Sequence, residues 1–178
     1  TGYSFGGWYE KSSEAPWDLE EDTVQDSFTR LYAKWDLNAP GVALRVDDRT
    51  PHAGSAATLT AVASHDLADV AYVYQWYKDG KLIENADSYQ ISVTASGKYT
   101  VRVAANDGEQ ISPAAEAAPV TVTVEGHIFV EWRQIKGPSG TDKGSMQRKC
   151  TVCGYTEIQS IGLNGQGQVT PAETGDDN

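Results

Sequence analysis

The sequence predicts an all-β chain: a two-sheet β-sandwich in the middle, with a small β element on either side. Three observations carry that expectation. Short segments across residues 39 to 125 alternate apolar and polar residues with a period of two, the pattern of strands that bury one face. Turn residues, Asp79-Gly80 among them, punctuate these segments. Composition also shifts along the chain: aromatics, Gly and carboxylates crowd residues 1 to 36, Ala, Val and Thr dominate 40 to 124, and the rest is polar and Gly-rich. These shifts divide the 178 residues into 1–38, 39–125, 126–163 and a tail at 164–178.

Charge and hydropathy exclude two classes of partner. Lys and Arg number 14 against 25 Asp and Glu, a balance of −11 that repels phosphate backbones and anionic lipid, so nucleic acid is not expected to bind. No apolar run reaches the roughly 18 residues that a spanning helix needs, so no membrane insertion is expected. The chain opens at Thr1 on a patterned segment, without an initiator Met or a charged-then-apolar leader, as an interior stretch of a longer protein would.

The central strands follow in order. Val42, Leu44 and Val46 form the first; Leu59, Ala61 and Ala63 the second, with Thr58 and Thr60 facing out. Tyr72, Tyr74 and Trp76 share a face in the third, and Asp79-Gly80 turns the chain into Lys81-Leu82-Ile83. Tyr89, Ile91 and Val93, then Tyr99, Val101 and Val103, then Val120, Val122 and Val124 complete the set. Such a series of short strands builds a sandwich.

The stretches "YVYQWYKDG" and "SGKYTVRV" resemble the immunoglobulin-like superfamily in its bacterial surface form. The resemblance implies an Ig-like β-sandwich in which Tyr99 holds the tyrosine-corner position, while Ala61 and Val101 stand where the family usually carries its two cysteines. Trp76 should therefore pack on Ala61 and Val101, with apolar burial in place of the cross-link. Losing that cross-link forgoes about 2 to 4 kcal/mol, which a buried indole and its branched neighbours partly offset at about 25 cal/mol per Å².

In the N-terminal segment, Tyr3 and Phe5 alternate on one strand, and Leu31, Ala33 and Trp35 on another, so two strands could trap a thin aromatic core. Gly2-Tyr3-x-Phe5-x-Gly7-Trp8-Tyr9, Trp17-Asp18 and Leu31-Tyr32-Ala33-Lys34-Trp35 closely resemble the second half of the Listeria-Bacteroides repeat, the internalin B-type repeat of surface proteins. The resemblance implies a partial β-grasp-like module with a spacer or adhesive role. A segment of this size has little to fold on alone, so the edge beside Tyr3 should be open, completed by another chain, or accompanied by docking onto the sandwich.

Residues 126 to 163 carry His127, Trp132, Thr141, Gly144, Arg148, a Cys150-x-x-Cys153-Gly and Glu157. This set resembles a short module of bacterial surface proteins, which implies a small β hairpin attached to a larger surface protein. Cys-x-x-Cys suits a tetrahedral zinc, since both sulfurs project from one tight turn, and His127 offers a third ligand. Members of the module often carry a further cysteine before the glycine, where this chain has Gly140 and Thr141, so the set is one protein ligand short. A Cys150–Cys153 disulfide, favoured outside the cell, is the preferred reading, with zinc, free thiols and redox chemistry as alternatives.

The tail "GLNGQGQVTPAETGDDN" is Gly- and Gln-rich, with the composition of a disordered, wall-proximal segment. Its "TPAETGDDN" resembles the sorting signal of wall-anchored bacterial proteins, which implies transpeptidase cleavage between Thr174 and Gly175. One extra residue separates Pro171 from Thr174, and an ordinary polar tail is the alternative.

No catalytic constellation is legible. His52, His65 and His127 stand in different loops or strand ends, and His65-Asp66 would point to opposite faces of a strand. Asp47, Asp48 and Asp107 could offer calcium oxygen ligands, though two adjacent carboxylates more often lie solvated in a loop. The expected function is a non-catalytic extracellular adhesion, binding or spacer region, anchored to the cell wall and facing a protein or glycan of a host or neighbouring cell. The alternative is a carbohydrate-binding module that serves an upstream enzyme, for which a planar row of solvent-facing aromatics would be the sign.

Overall fold

The computed structural model of the chain describes residues 2–11, 13–24, 29–163 and 169–171. All regular structure among them is β, with no helix. The chain divides into two compact units: Thr1–Arg49 with Ala57–Thr123, and Thr50–Ala56 with Val124–Asn178.

The first unit opens with an antiparallel hairpin of β1 (Tyr3–Glu10) and β2 (Leu31–Leu37). A bulge shifts the register between Phe5 and Gly7, and Gly7 sits at φ 119°, a region that suits glycine. Phe5 pairs with Trp35 and Trp8 with Ala33, so the bulge returns Trp8 to the face of Phe5 and Trp35. The three rings meet edge to face, Phe5 at 5.5 Å from Trp8 and 5.6 Å from Trp35. The expected thin aromatic core therefore forms, but the rings stay 50%, 38% and 53% exposed because no second layer covers them among the described residues. Across its other edge β1 has no strand partner among those residues, as expected.

The hairpin also docks onto the central module. Tyr3 donates its hydroxyl to Asp107 at 2.6 Å, and the Gln110 amide both donates to the Trp35 carbonyl and accepts from the Leu37 N–H. Leu37 is buried at this junction.

The central strands are β3 (Gly41–Val46), β4 (Ala57–Ser64), β5 (Ala71–Lys78), β6 (Lys81–Leu82), β7 (Gln90–Val93), β8 (Gly97–Asn106), β9 (Ala115–Glu116) and β10 (Val120–Val122). One sheet runs β3-β4-β7, the other β10-β8-β5-β6 with β9 on β8. Inward side chains of both sheets merge into one cluster of Leu59, Ala61, Trp76, Val93, Tyr99, Val101, Val103 and Val122. Trp76 is fully buried opposite Val101 in the β5–β8 register, and its Nε1 donates to the Ser88 carbonyl at 2.8 Å. The indole thus satisfies its one polar atom inside the core. Tyr99 is buried as well, and its hydroxyl donates to the Ala95 carbonyl at 2.8 Å, the corner bond that the sequence pattern anticipates. Asp79 and Gly80 both take positive φ, which turns β5 tightly into β6.

Two expectations need adjustment. Tyr89 precedes β7 and is more than half exposed, and Val124 falls outside β10. The two-residue β9 carries too short a pattern to be read.

The second unit holds an antiparallel sheet of β11 (Arg133–Lys136), β12 (Gly144–Lys149), β13 (Thr156–Leu163) and β14 (Val169–Pro171). It is larger than the hairpin expected, because three residues of the anticipated disordered tail pair with β13. Thr174 and Gly175 lie outside the described residues. A Cβ on Gly144 would stand 2.5 Å from the Lys136 carbonyl oxygen and 2.6 Å from the Pro138 nitrogen, so the close approach of β11 and β12 requires a glycine there. This unit's apolar interior is slight: Pro51, Cys150 and Ile161 are buried, whereas Ile128, Val130, Ile135, Val152 and Ile158 are at least half exposed.

Candidate metal centre

The site is assembled on residues 124 to 130, which bond to neighbours at both ends. At the first end, the Glu125 N–H donates to the Pro51 carbonyl and the Ala53 N–H to the Glu125 carbonyl, a parallel bridge between His52 and Glu125. This fastens the loop between β3 and β4 beside residue 125. At the other end, the Thr151 N–H donates to the Ile128 carbonyl and the Val130 N–H to the Lys149 carbonyl, with Phe129 bridging Cys150. His127 lies between the two anchor points.

The thiols come from the turn between β12 and β13. Gly154 N–H donates back to the Cys150 carbonyl, Cys150 N–H to the Tyr155 carbonyl, and Tyr155 N–H to the Cys153 Sγ at 3.4 Å. Both sulfurs are unbridged, Cys150 buried and Cys153 exposed. Burial opposes ionisation of Cys150, but the Cys153 and Val152 N–H groups, the His127 side chain and the Ile128 N–H outweigh it and lower its pKa from 9.0 to about 5. Cys150 is walled off from solvent, which favours ligation over attack on a substrate.

Four donor atoms converge. His52 Nε2 lies 3.2 Å from His127 Nδ1 and 3.2 Å from Cys150 Sγ, and Cys153 Sγ lies 3.4 Å from His127 Nδ1. The donors of all four residues fall within 4.8 Å of one another. Sequence reasoning found His127, Cys150 and Cys153 and counted one ligand short. His52 brings a fourth donor to the cluster, from a loop 75 residues upstream of His127. Its only sequence signal is a histidine held between Pro51 and Gly54 in a turn.

Aromatic and charged neighbours surround the cluster. Tyr155 stacks on the His127 ring at 4.5 Å and 7°, and Phe129 flanks it. The Arg148 guanidinium lies over Phe129 at 4.1 Å and Trp132 at 4.7 Å and bonds Glu157 at 2.6 Å. The Trp, Arg and Glu of the sequence motif therefore form one stack behind the cysteine turn.

The remaining candidates serve local structure. His65 accepts the Leu67 N–H on Nδ1, which leaves Nε2 to donate to the Asn38 carbonyl at 3.0 Å. Asp47 accepts the N–H groups of Asp48 and Thr58, and Asp107 those of Glu109 and Gln110 besides the Tyr3 hydroxyl. Among the described residues, these aspartates do not gather into a cation site.

Comparison with known proteins adds a lineage for the first segment. Residues 1–34 match the family model of the Listeria-Bacteroides repeat domain. The repeat is typical of extracellular and surface proteins. The chain is also 29% identical over 156 residues to a protein of Evansella cellulosilytica described as "Putative membrane protein". That alignment covers 75% of this chain and 23% of the relative, so the chain spans under a quarter of it. Among the described residues, no helix is long and apolar enough to cross a membrane.

Proposed function

We propose that this chain is a non-catalytic extracellular region of a bacterial cell-surface protein that acts in adhesion or as a spacer, with a protein or glycan of a host or neighbouring cell as its partner. The observation that carries the reading is the Listeria-Bacteroides repeat at residues 1–34, latched by Tyr3 and Gln110 to a β-sandwich built around a largely apolar core. Such a core leaves recognition to loops, of which 64–71 and 106–113 lie at strand ends. Cell-wall anchoring through Thr174 and Gly175 belongs to the same proposal.

The three exposed aromatics Phe5, Trp8 and Trp35 support a second reading, a carbohydrate-binding module. Phe5 is tilted 67° from Trp8 and 66° from Trp35, so it shares a plane with neither indole, whereas a flat row of three rings would suit stacking on a sugar. That arrangement weighs toward the adhesion or spacer role. A glycan array tests both readings: signal on defined sugars that disappears in Trp8→Ala and Trp35→Ala establishes the carbohydrate module. Binding to intact cells or immobilised surface proteins that survives both changes supports adhesion.

A further inference from the structure

We propose that His52, His127, Cys150 and Cys153 form a closed structural zinc site, with His52 supplying the ligand that the Cys-x-x-Cys module itself lacks. The inference is independent of the adhesion or spacer reading.

Geometry carries it. Zinc–nitrogen bonds of about 2.05 Å and zinc–sulfur bonds of about 2.3 Å at tetrahedral angles separate donors by about 3.3 Å (N to N), about 3.6 Å (S to N) and about 3.8 Å (S to S). The observed N to N separation is 3.2 Å and the S to N separations are 3.2 and 3.4 Å, each within a few tenths of those values. Hydrogen bonding alone does not explain the arrangement. His52 Nε2 approaches both Cys150 Sγ and His127 Nδ1, and His127 Nδ1 approaches both His52 Nε2 and Cys153 Sγ. A ring nitrogen has a single in-plane lone pair or a single N–H, so it can satisfy one such neighbour. One cation at the centre accepts all four lone pairs at once.

The donor set selects the metal. Two thiolates and two imidazoles suit zinc, and their two negative charges neutralise the dication. Four protein ligands leave no open position for substrate, so the role is structural. The surroundings agree with that role. Among its described residues the second unit buries few apolar side chains, and small scaffolds with slight cores are commonly held by metals or disulfides. Binding the metal holds both sulfurs as thiolates and keeps Cys150 and Cys153 from oxidising to each other.

The test uses the full chain, purified under reducing conditions with zinc supplied and then dialysed. Elemental analysis should find one zinc per chain. Exchange for cobalt should give intense visible bands of tetrahedral cobalt and a sulfur charge-transfer band in the near ultraviolet. His52→Ala should weaken zinc at least about 100-fold, since loss of supporting outer-sphere partners alone costs 10- to 100-fold. His65→Ala, a control outside the cluster, should bind as the parent does. Hydrogen exchange at Ala53, whose N–H bonds the Glu125 carbonyl, should slow when zinc is added. Less than stoichiometric zinc, octahedral cobalt spectra, or parent-like affinity in His52→Ala would each overturn the proposal. Cobalt spectra of the parent decide the matter even if the His52 variant fails to fold.

Discussion

Replacing Trp76 by alanine should remove about 4 kcal/mol from the stability of the sandwich. The indole is fully buried among residues of both sheets. An aromatic of this size removes about 150 to 250 Å² from water, which at about 25 cal/mol per Å² is an upper bound of roughly 4 to 6 kcal/mol. Alanine keeps part of that burial while the vacated space adds a cavity penalty, and measured truncations of this type fall at about 3 to 5 kcal/mol. The substitution also removes the N–H that bonds the Ser88 carbonyl, a bond that water can replace because Ser88 is exposed. Against a domain stability of about 5 to 15 kcal/mol, the variant should be folded but marginal. With a urea slope near 2 kcal/mol per M, the midpoint should fall by about 2 M at unchanged slope. Urea titration followed by far-ultraviolet circular dichroism measures it. A shift below about 1 kcal/mol would show that the sheets do not close around this ring, and the account of the core would be wrong.

Other predictions are smaller. Tyr99→Phe removes the hydroxyl that bonds Ala95 and should cost about 1 kcal/mol by the same titration, with the fold retained. Gly144→Ala places a methyl against the backbone at Lys136 and Pro138, so thermal unfolding of the second unit should drop, and an unchanged melting profile would contradict the close approach. Docking of the β1–β2 hairpin should depend on pH at both extremes. The Tyr3 hydroxyl and then the Gln110 and Glu109 N–H groups hold Asp107 below its ordinary 3.8, so its contribution is full above that value and fades as pH falls through the lower folded value. The same bond, with burial and the nearby carboxylates, holds Tyr3 above 10.0, so that contribution is full below 10.0 and fades as pH rises through the higher folded value. The Leu37 amide resonance, which reports the bond to Gln110, should track both limits, and Tyr3→Phe should remove the alkaline one and lessen the acid one.

Legibility follows the range of the forces involved. Strands β3, β4, β5 and β8 were readable because each buries one face, which writes a period of two into adjacent residues such as Leu59 and Ala61 or Val101 and Val103. Tyr99 and Trp76 were readable through the resemblance of "SGKYTVRV" and "YVYQWYKDG" to immunoglobulin-like strands. The cysteine turn was readable for the same local reason, since both sulfurs come from four consecutive residues. His52 was not: it reaches the cluster through backbone bonds to Glu125, and contacts across such a separation leave no local periodicity. The bulge at Gly6-Gly7 was equally silent, although it decides that Trp8 faces Phe5 and Trp35.

The spacing of the donors along the chain has a mechanical consequence. Cys150 and His52 lie 98 residues apart, and every strand from β4 to β12 falls between them. A metal seated on both closes that stretch into a covalently bounded ring. Tension drawn along the polypeptide would then pass through the coordination bonds, leaving about 330 Å of potential extension, at roughly 3.4 Å per residue, out of reach until a ligand lets go. The chain would lengthen far less under load with a metal bound there than without one.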